Sequence, residues 1–182
     1  DAFNIEGFGK KIVENFWNLG LVKYPQDIFN LDYKKIENIE GWGRQSVANL
    51  KYSVDLRKSI SFERFIYAIG IRHIGLENAK LIARNLKNIK NFLSLTKKDN
   101  INELLNIDGI GETQINSLKN FFINKTNLKV LNELCKILSV KDAVIFEKGG
   151  SLGNKTFMLT GKLKGMSRAE AKSLIEQNSG SI

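Results

Sequence analysis

The hydrophobic residues of this chain recur at helical spacing on both sides of four short turns, and a period near 3.6 fits them better than alternation. Such a period places apolar side chains on one face of a helix. The pattern therefore predicts a helix, a turn and a second helix, repeated along the chain. Around the second turn the apolar positions are Ile28, Leu31 and Ile36 before it, and Val47, Leu50 and Val54 after it.

The turns share one motif, which begins with isoleucine and ends with glycine four residues later. The spacing between the final glycines is 34 residues from Gly9 to Gly43, 32 from Gly43 to Gly75 and 36 from Gly75 to Gly111. A nearly constant period of this size indicates a structural repeat. The four copies are Ile5–Gly9, Ile39–Gly43, Ile71–Gly75 and Ile107–Gly111, and the apolar residue four positions after each is Val13, Val47, Ala79 and Ile115.

Local signals predict where the helices between the turns begin and end. Gly20 is typical of a residue that follows a helix. Pro25 favours the first turn of a new short helix, and Ser61 is a suitable N-cap for the helix that precedes the third turn.

The helical pattern of apolar residues stops after the helix predicted to end near Leu138. Residues 140–146 favour a short strand, and the glycine-rich residues 148–154 are typical of a flexible linker. Beyond them we predict a strand over Lys155–Gly161, a capping box over Ser167–Glu170 and a helix that turns Ala171, Leu174 and Ile175 inward and stops near Gly180. The predicted domains are residues 1–138, a linker over 139–153, and the start of a second domain over 154–182.

Charge adds a prediction about the partner. The chain of 182 residues has 28 Lys and Arg against 19 Asp and Glu, a net charge of +9 and a pI near 9.6. Such a balance favours an anionic partner, with counterion release if that partner is nucleic acid. A solvated lysine-rich surface without a ligand is the alternative explanation.

The single cysteine and single histidine limit other chemistry. Cys135 lies in an apolar helical run, which predicts a small core residue, and a lone cysteine excludes an intrachain disulfide or a Cys-rich zinc site. The composition favours a reducing, cytoplasmic compartment. No stretch has the length or apolarity of a membrane span or a signal peptide. A start at Asp1 without Met and an end at Ile182 in mid-pattern predict a segment of a longer protein.

The glycine turns have the chemistry that a phosphate group requires. Glycines leave backbone N–H groups uncovered and reach positive φ, and the following helix directs its free N–H groups and the positive end of its dipole toward the same anion. Lys11 and neighbouring cations would add charge. The predicted phosphate-binding residues are Gly7, Gly9, Lys10, Gly41, Gly43, Arg44, Arg72, His73, Gly75, Gly109 and Gly111.

The turns also have interpretations that need no ligand. A lone Gly-x-Gly is most often an ordinary connection, but repetition in register favours a ligand role. His73 replaces the first glycine of the third turn and could bind a phosphate, cap a helix or lie in the core; the last two together are preferred over a catalytic role, since no Ser, Cys or Asp cluster lies near it in the sequence. The residues between the glycines, such as Trp42, are expected to wedge inward, and Trp42 could also touch a DNA sugar edge.

These turns resemble helix-hairpin-helix motifs, and their order resembles the C-terminal half of bacterial NAD⁺-dependent DNA ligases. The most specific pieces are Tyr67–Gly75, which is close to the third hairpin of that family, and Lys155–Gly161 with Met166–Lys172, which are similar to the start of its BRCT domain. The resemblance implies a mainly α fold. Four tandem helix-hairpin-helix motifs would form two paired units, followed by a linker and a truncated α/β BRCT start.

The resemblance also implies a function. The hairpins would bind nicked double-stranded DNA without sequence specificity, across the minor groove, in a bacterial, nucleoid-associated enzyme of replication and repair. The parent enzyme would seal nicks with NAD⁺, Mg²⁺ and Zn²⁺. This segment would contain no catalytic residue, metal site or cofactor, would be inactive alone, and would act as a monomer without a membrane partner.

Two alternatives remain open at this point. A tandem hairpin module from another repair protein would prefer branched junctions to nicked duplex. A protein-interaction scaffold would bind DNA weakly and with little dependence on salt.

Overall fold

The computed structural model of the chain describes residues 2–96, 99–144, 150–153, 155–161, 165, 171–172, 174–175 and 178–182. These residues divide into two compact units, Asp1–Ala143 and Val144–Ile182. The first unit is mainly helical, which confirms the predicted fold class at that level. Its elements are α1 (Lys10–Asn18), a 3₁₀ helix (Pro25–Asn30), α2 (Tyr33–Glu37), α3 (Arg44–Leu56), β1 (Ser59–Ser61), α4 (Phe62–Ala68), α5 (Leu76–Leu86), α6 (Ile89–Ser94), a second 3₁₀ helix (Asp99–Asn106), α7 (Glu112–Ile123), α8 (Lys125–Ile137) and β2 (Ser139–Lys141).

The predicted helix boundaries agree with these elements. Gly20 follows the end of α1 at a φ of +69°, and its N–H donates to the Trp17 carbonyl at 3.0 Å. Pro25 is the first residue of the first 3₁₀ helix, and Ser61 is the N-cap of α4. Because proline has no N–H and a fixed φ, it stabilises a helix start at no cost in hydrogen bonds.

Apolar faces of these helices form one hydrophobic core in the first unit. Phe92 of α6 is fully buried, with its ring 6.1 Å from that of Phe62 in α4 and 5.4 Å from that of Phe122 in α7. Aromatic contacts at these distances add to the free energy of burial. Cys135 packs half-buried against the core, and burial raises the pKa of its thiol to about 11.

A short parallel pairing of β1 with β2 joins distant parts of the first unit. Ile60 pairs with Val140, and the Ser139 N–H donates to the Lys58 carbonyl at 2.7 Å. The Ala143 N–H donates to the Lys87 carbonyl at 2.8 Å. Residues 139–143, which the predicted domain boundaries assign to the linker, are therefore held against the helical unit by backbone hydrogen bonds, and the short strand predicted over residues 140–146 is formed at its start, in β2.

The second unit departs from the predicted elements. Thr156 makes only an isolated parallel bridge to Ser181, so the predicted strand over residues 155–161 is not formed as a strand. The glycine-rich turn also has partners, because the Leu152 N–H donates to the Asn178 carbonyl at 3.1 Å. The Gly150 N–H donates to Ser179 Oγ at 3.2 Å. Residues 150–153 therefore belong to this unit.

The short helix of the second unit buries a narrower face than predicted. Ala171 and Ile175, four residues apart, are buried, whereas Leu174 is 47% exposed, so its inward placement was wrong. A helix turn packed on so small a unit covers one stripe of side chains and leaves the neighbouring position in solvent. Asn178 lies in a turn and no longer in the helix, which is near the predicted helix end at Gly180. The predicted capping box over residues 167–170 lies outside the described residues.

Candidate nucleic-acid interface

The four glycine turns of the first unit share one backbone conformation. In each, the N–H of the fourth residue donates to the carbonyl of the isoleucine that begins the turn, at 3.0 to 3.2 Å. The third residue has a positive φ in every case. These φ angles are +73° at Gly7, +85° at Gly41, +61° at His73 and +88° at Gly109.

The glycine that ends each turn is the N-cap of the next helix. These glycines are Gly9, Gly43, Gly75 and Gly111, with φ between −78° and −115° and an extended ψ that any residue can adopt. Each carbonyl accepts the first helical hydrogen bond, from Val13, Val47, Ala79 or Ile115, at 2.9 to 3.1 Å. The predicted helix starts are therefore confirmed.

Nothing in the fold requires these N-cap residues to be glycine. A Cβ at Gly9, Gly43 or Gly75 would meet no atom within 4 Å, and at Gly111 it would meet only Gln114 Oε1 at 3.5 Å, an ordinary contact. Ser, Asp and Asn are favoured over glycine at an N-cap because their side chains accept a backbone hydrogen bond. The missing side chain instead leaves the helix start open to a molecule from outside.

The first turn of α3 presents donors toward this open space. In the described part of the structure no hydrogen bond is found from the Arg44 or Gln45 N–H. Unpaired N–H groups and the helix dipole together favour an anion at a helix N-terminus. The fourth turn differs, because the Gly111 N–H already donates to Gln114 Oε1 at 3.1 Å.

The predicted cations lie in solvent beside the turns. The Arg44 side chain is 94% exposed, and its Nε donates to Glu37 Oε1 at 3.0 Å. Lys10 lies 3.7 Å from Glu14, while Lys11 and Arg72 are exposed. Exposed ion pairs contribute little to stability, so they leave these cations able to exchange a carboxylate for another anion.

The residues between the glycines turn inward, as predicted. Phe8, Ile74 and Ile110 are buried, and Trp42 is half-buried with its ring 5.4 Å from that of Phe16. A buried wedge fixes the turn relative to its helices, because a close-packed side chain leaves few alternative arrangements.

Two contacts relate neighbouring turns of the first unit. Gly7 of the first turn and Gly41 of the second line one groove of about 620 Å³, together with Trp42 and the α3 residues Ser46 and Asn49. In the fourth turn, a Cβ on Gly109 would lie 3.0 Å from Leu81 Cδ1 of α5, the helix that follows the third turn. Gly7 and Gly41 thus share one groove, and the fourth turn lies against α5.

His73 is the predicted residue that the structure places differently. It is exposed, so the preferred interpretation of a buried core histidine was wrong. Its carbonyl accepts a hydrogen bond from Asn78 Nδ2 at 3.2 Å, which links the turn to the first turn of α5. The third turn keeps the shared conformation without a glycine at this position.

Sequence reasoning missed two side chains that support the turns, Asn78 and Gln114. Both lie three residues after the N-cap glycine of their helix, the position from which a capping-box side chain reaches back. The spacing Gly-x-x-Gln at Gly111 resembles the capping-box pattern closely enough to have predicted the Gln114 contact.

The described residues contain no group of three or more His, Cys, Asp and Glu side chains that could hold a metal ion. No described helix is long and apolar enough to cross a membrane.

Comparisons with known proteins bear on this interface. Residues 64–131, which include the third and fourth turns, match the family model of the helix-hairpin-helix motif. The chain is 69% identical over all of its 182 residues to a DNA ligase of Pelagibacter ubique (strain HTCC1062). It is 40% identical to the DNA ligase of Rickettsia canadensis (strain McKiel) and 39% identical to that of Rickettsia bellii (strain OSU 85-389), each over 97% of the chain. In all three cases the chain spans 27% of the relative's length.

Proposed function

We propose, from the similarity of the whole chain to one segment of bacterial DNA ligases, that its four turns bind the backbone of duplex DNA. The turns would act as helix-hairpin-helix motifs in two paired units. Contacts to phosphates position a protein on DNA without reading bases. The binding would therefore be independent of sequence, as sealing nicks at any position in replication and repair requires.

The observation that carries this proposal is the open space at the N-cap glycines. Gly9, Gly43 and Gly75 have ordinary backbone angles and room for a side chain, so folding does not explain the glycines. A phosphate seated on the helix N-terminus would explain them, because a Cβ would occupy the space through which its oxygens reach the N–H groups.

The arrangement in pairs supports binding of a polymer over binding of a single anion. The first and second turns share a groove, and the fourth turn packs on the helix that follows the third. Adjacent phosphate sites suit a backbone that carries one charge per nucleotide. The exposed Lys11 and Arg72, with a net charge of +9, would strengthen the same interaction.

The chemistry of ligation belongs to the rest of the enzyme in this proposal. The described residues offer no metal-binding cluster, and the relatives are more than three times as long as the chain. We propose that the catalytic residues and the sites for NAD⁺, Mg²⁺ and Zn²⁺ lie elsewhere in the ligase. This segment would bind nicked duplex as a monomer in the bacterial cytoplasm and would be inactive alone.

We also propose that residues 154–182 begin a BRCT domain. The parallel bridge between Thr156 and Ser181 encloses a helical stretch that includes Ala171 and Ile175. Parallel pairing across a helical crossover is the unit from which α/β domains are built. The order of these pieces supports a β-α-β start.

The test compares duplex binding of Gly43→Val with that of the unmodified chain by fluorescence anisotropy. We expect affinity to fall roughly ten- to a hundredfold, since hydrogen bonds to a charged group are lost. Helix content by circular dichroism should hardly change, because a Cβ at this position meets no atom within 4 Å and the φ of Gly43 is ordinary. Asn132→Val, which adds the same side chain to an exposed position of α8, is the matched control. Equal affinities for all three chains would refute the phosphate-binding role of the turns.

A further inference from the structure

The third turn differs from the other three at its third residue. His73 has a φ of +61°, where the sister turns place glycine at +73°, +85° and +88°. A side chain in this left-handed region costs free energy, although histidine, asparagine and aspartate tolerate it better than other residues. The chain thus keeps an imidazole in a position where glycine is the less strained choice.

The fold itself makes no use of that imidazole in the described part of the structure. The side chain is exposed, and no hydrogen bond of its ring nitrogens to a described residue is found. Two hydrogen bonds that do not involve the imidazole stabilise the turn. The Ile74 N–H donates to the Ile71 carbonyl at 3.1 Å, and Asn78 Nδ2 donates to the His73 carbonyl at 3.2 Å. Replacing the ring would leave both bonds intact.

We propose that the His73 imidazole is a direct contact to the DNA backbone, donating a ring N–H to a phosphate oxygen beside the third turn. The third hairpin would then add a side-chain contact to the backbone contacts proposed for all four turns. Arg72, exposed on the preceding residue, adds a cation at the same place. This inference rests on the proposed function, because it assumes that DNA lies along the turns.

His73→Gly tests the inference, because a structural and a binding role predict opposite results. Glycine is the residue of the sister turns and relieves the left-handed strain, so we expect the melting temperature to rise by about 2–4 °C. Duplex affinity should fall roughly three- to tenfold, as expected for the loss of one hydrogen bond to phosphate. If His73→Gly raises the melting temperature and lowers the DNA affinity, the loss of affinity cannot be due to a less stable fold.

His73→Asn is the second variant, since asparagine also tolerates a positive φ but has no imidazole. Its melting temperature should stay close to that of the unmodified chain, and its affinity should fall as in His73→Gly. Unchanged affinity in His73→Gly would overturn the inference, and so would a loss of affinity accompanied by a lower melting temperature. If Gly43→Val weakens binding in the same experiment, such a result overturns only the role of His73; if Gly43→Val also has no effect, the proposed function itself fails.

Discussion

At the scale of single residues, the two glycines of one turn serve different purposes. Gly41 has a φ of +85°, which a residue with a Cβ adopts only at a cost, so the turn needs it in order to fold. Gly43 has a φ of −103° and empty space around it, so folding does not need it. A pattern of two glycines therefore combines one conformational requirement with one glycine that folding leaves unexplained and that the proposed phosphate contact would explain.

The side chain of Gln114 is predicted to oppose DNA binding at the fourth turn. Its Oε1 accepts the Gly111 N–H at 3.1 Å, so a phosphate at the fourth turn would have to displace it. We expect Gln114→Ala to raise duplex affinity by up to about tenfold, because the amide becomes free. The same change should lower the free energy of unfolding by about 0.5–1 kcal/mol through loss of the cap.

Anisotropy titration and thermal unfolding of the same samples would measure both effects. Asn132→Ala, at an exposed position of α8 outside the turns, is the control. A lower affinity in Gln114→Ala would show that the side chain itself contacts DNA.

At the scale of elements, α6 connects the helices that flank the third and fourth turns. Its Phe92 ring lies between Phe62 of α4 and Phe122 of α7 and is fully buried. A short helix of six residues is unstable by itself, so α6 persists only through this packing. The relative placement of the two turns depends on the same ring.

Removing the Phe92 ring should therefore strongly destabilise the first unit. Phe92→Ala is expected to lower the free energy of unfolding of the first unit by about 3–5 kcal/mol, because it removes apolar contacts and leaves a cavity. Urea denaturation followed by circular dichroism would measure it. Lys90→Ala, at an exposed position of the same helix, should change stability by less than about 0.5 kcal/mol. Similar midpoints for the two variants would contradict the central role of Phe92.

The elements also show which part of the structure the sequence could predict. The helices and the glycine turns follow from local rules, since a 3.6-residue period and an N-cap glycine act within about ten residues. The pairing of Ile60 with Val140 joins three-residue strands 80 positions apart, and strands so short have no period to detect. Leu174 and His73 were misplaced for a related reason, because their exposure depends on what the rest of the unit covers.

At the scale of the whole molecule, net charge and turn geometry would both contribute to DNA binding. The dependence of affinity on salt concentration distinguishes the two contributions. The net charge of +9 favours any polyanion, whereas the turns would fix where its phosphates lie in the proposed function. Adding a side chain at Gly43 obstructs the turn and leaves net charge unchanged. Removing Arg72 alters charge and leaves the backbone of its turn in place.

The salt dependence of binding measures how many phosphates the molecule neutralises. If about five are contacted, the logarithm of the association constant should fall with the logarithm of salt concentration with a slope of about −4.5. Titrations of nicked and intact duplex between about 50 and 200 mM salt give this slope. Arg72→Gln should make it less steep by about 1, since one phosphate contact loses its cation. A slope near zero would mean that the charge is incidental and that the hairpins serve protein partners, because an interface without phosphate contacts releases no counterions.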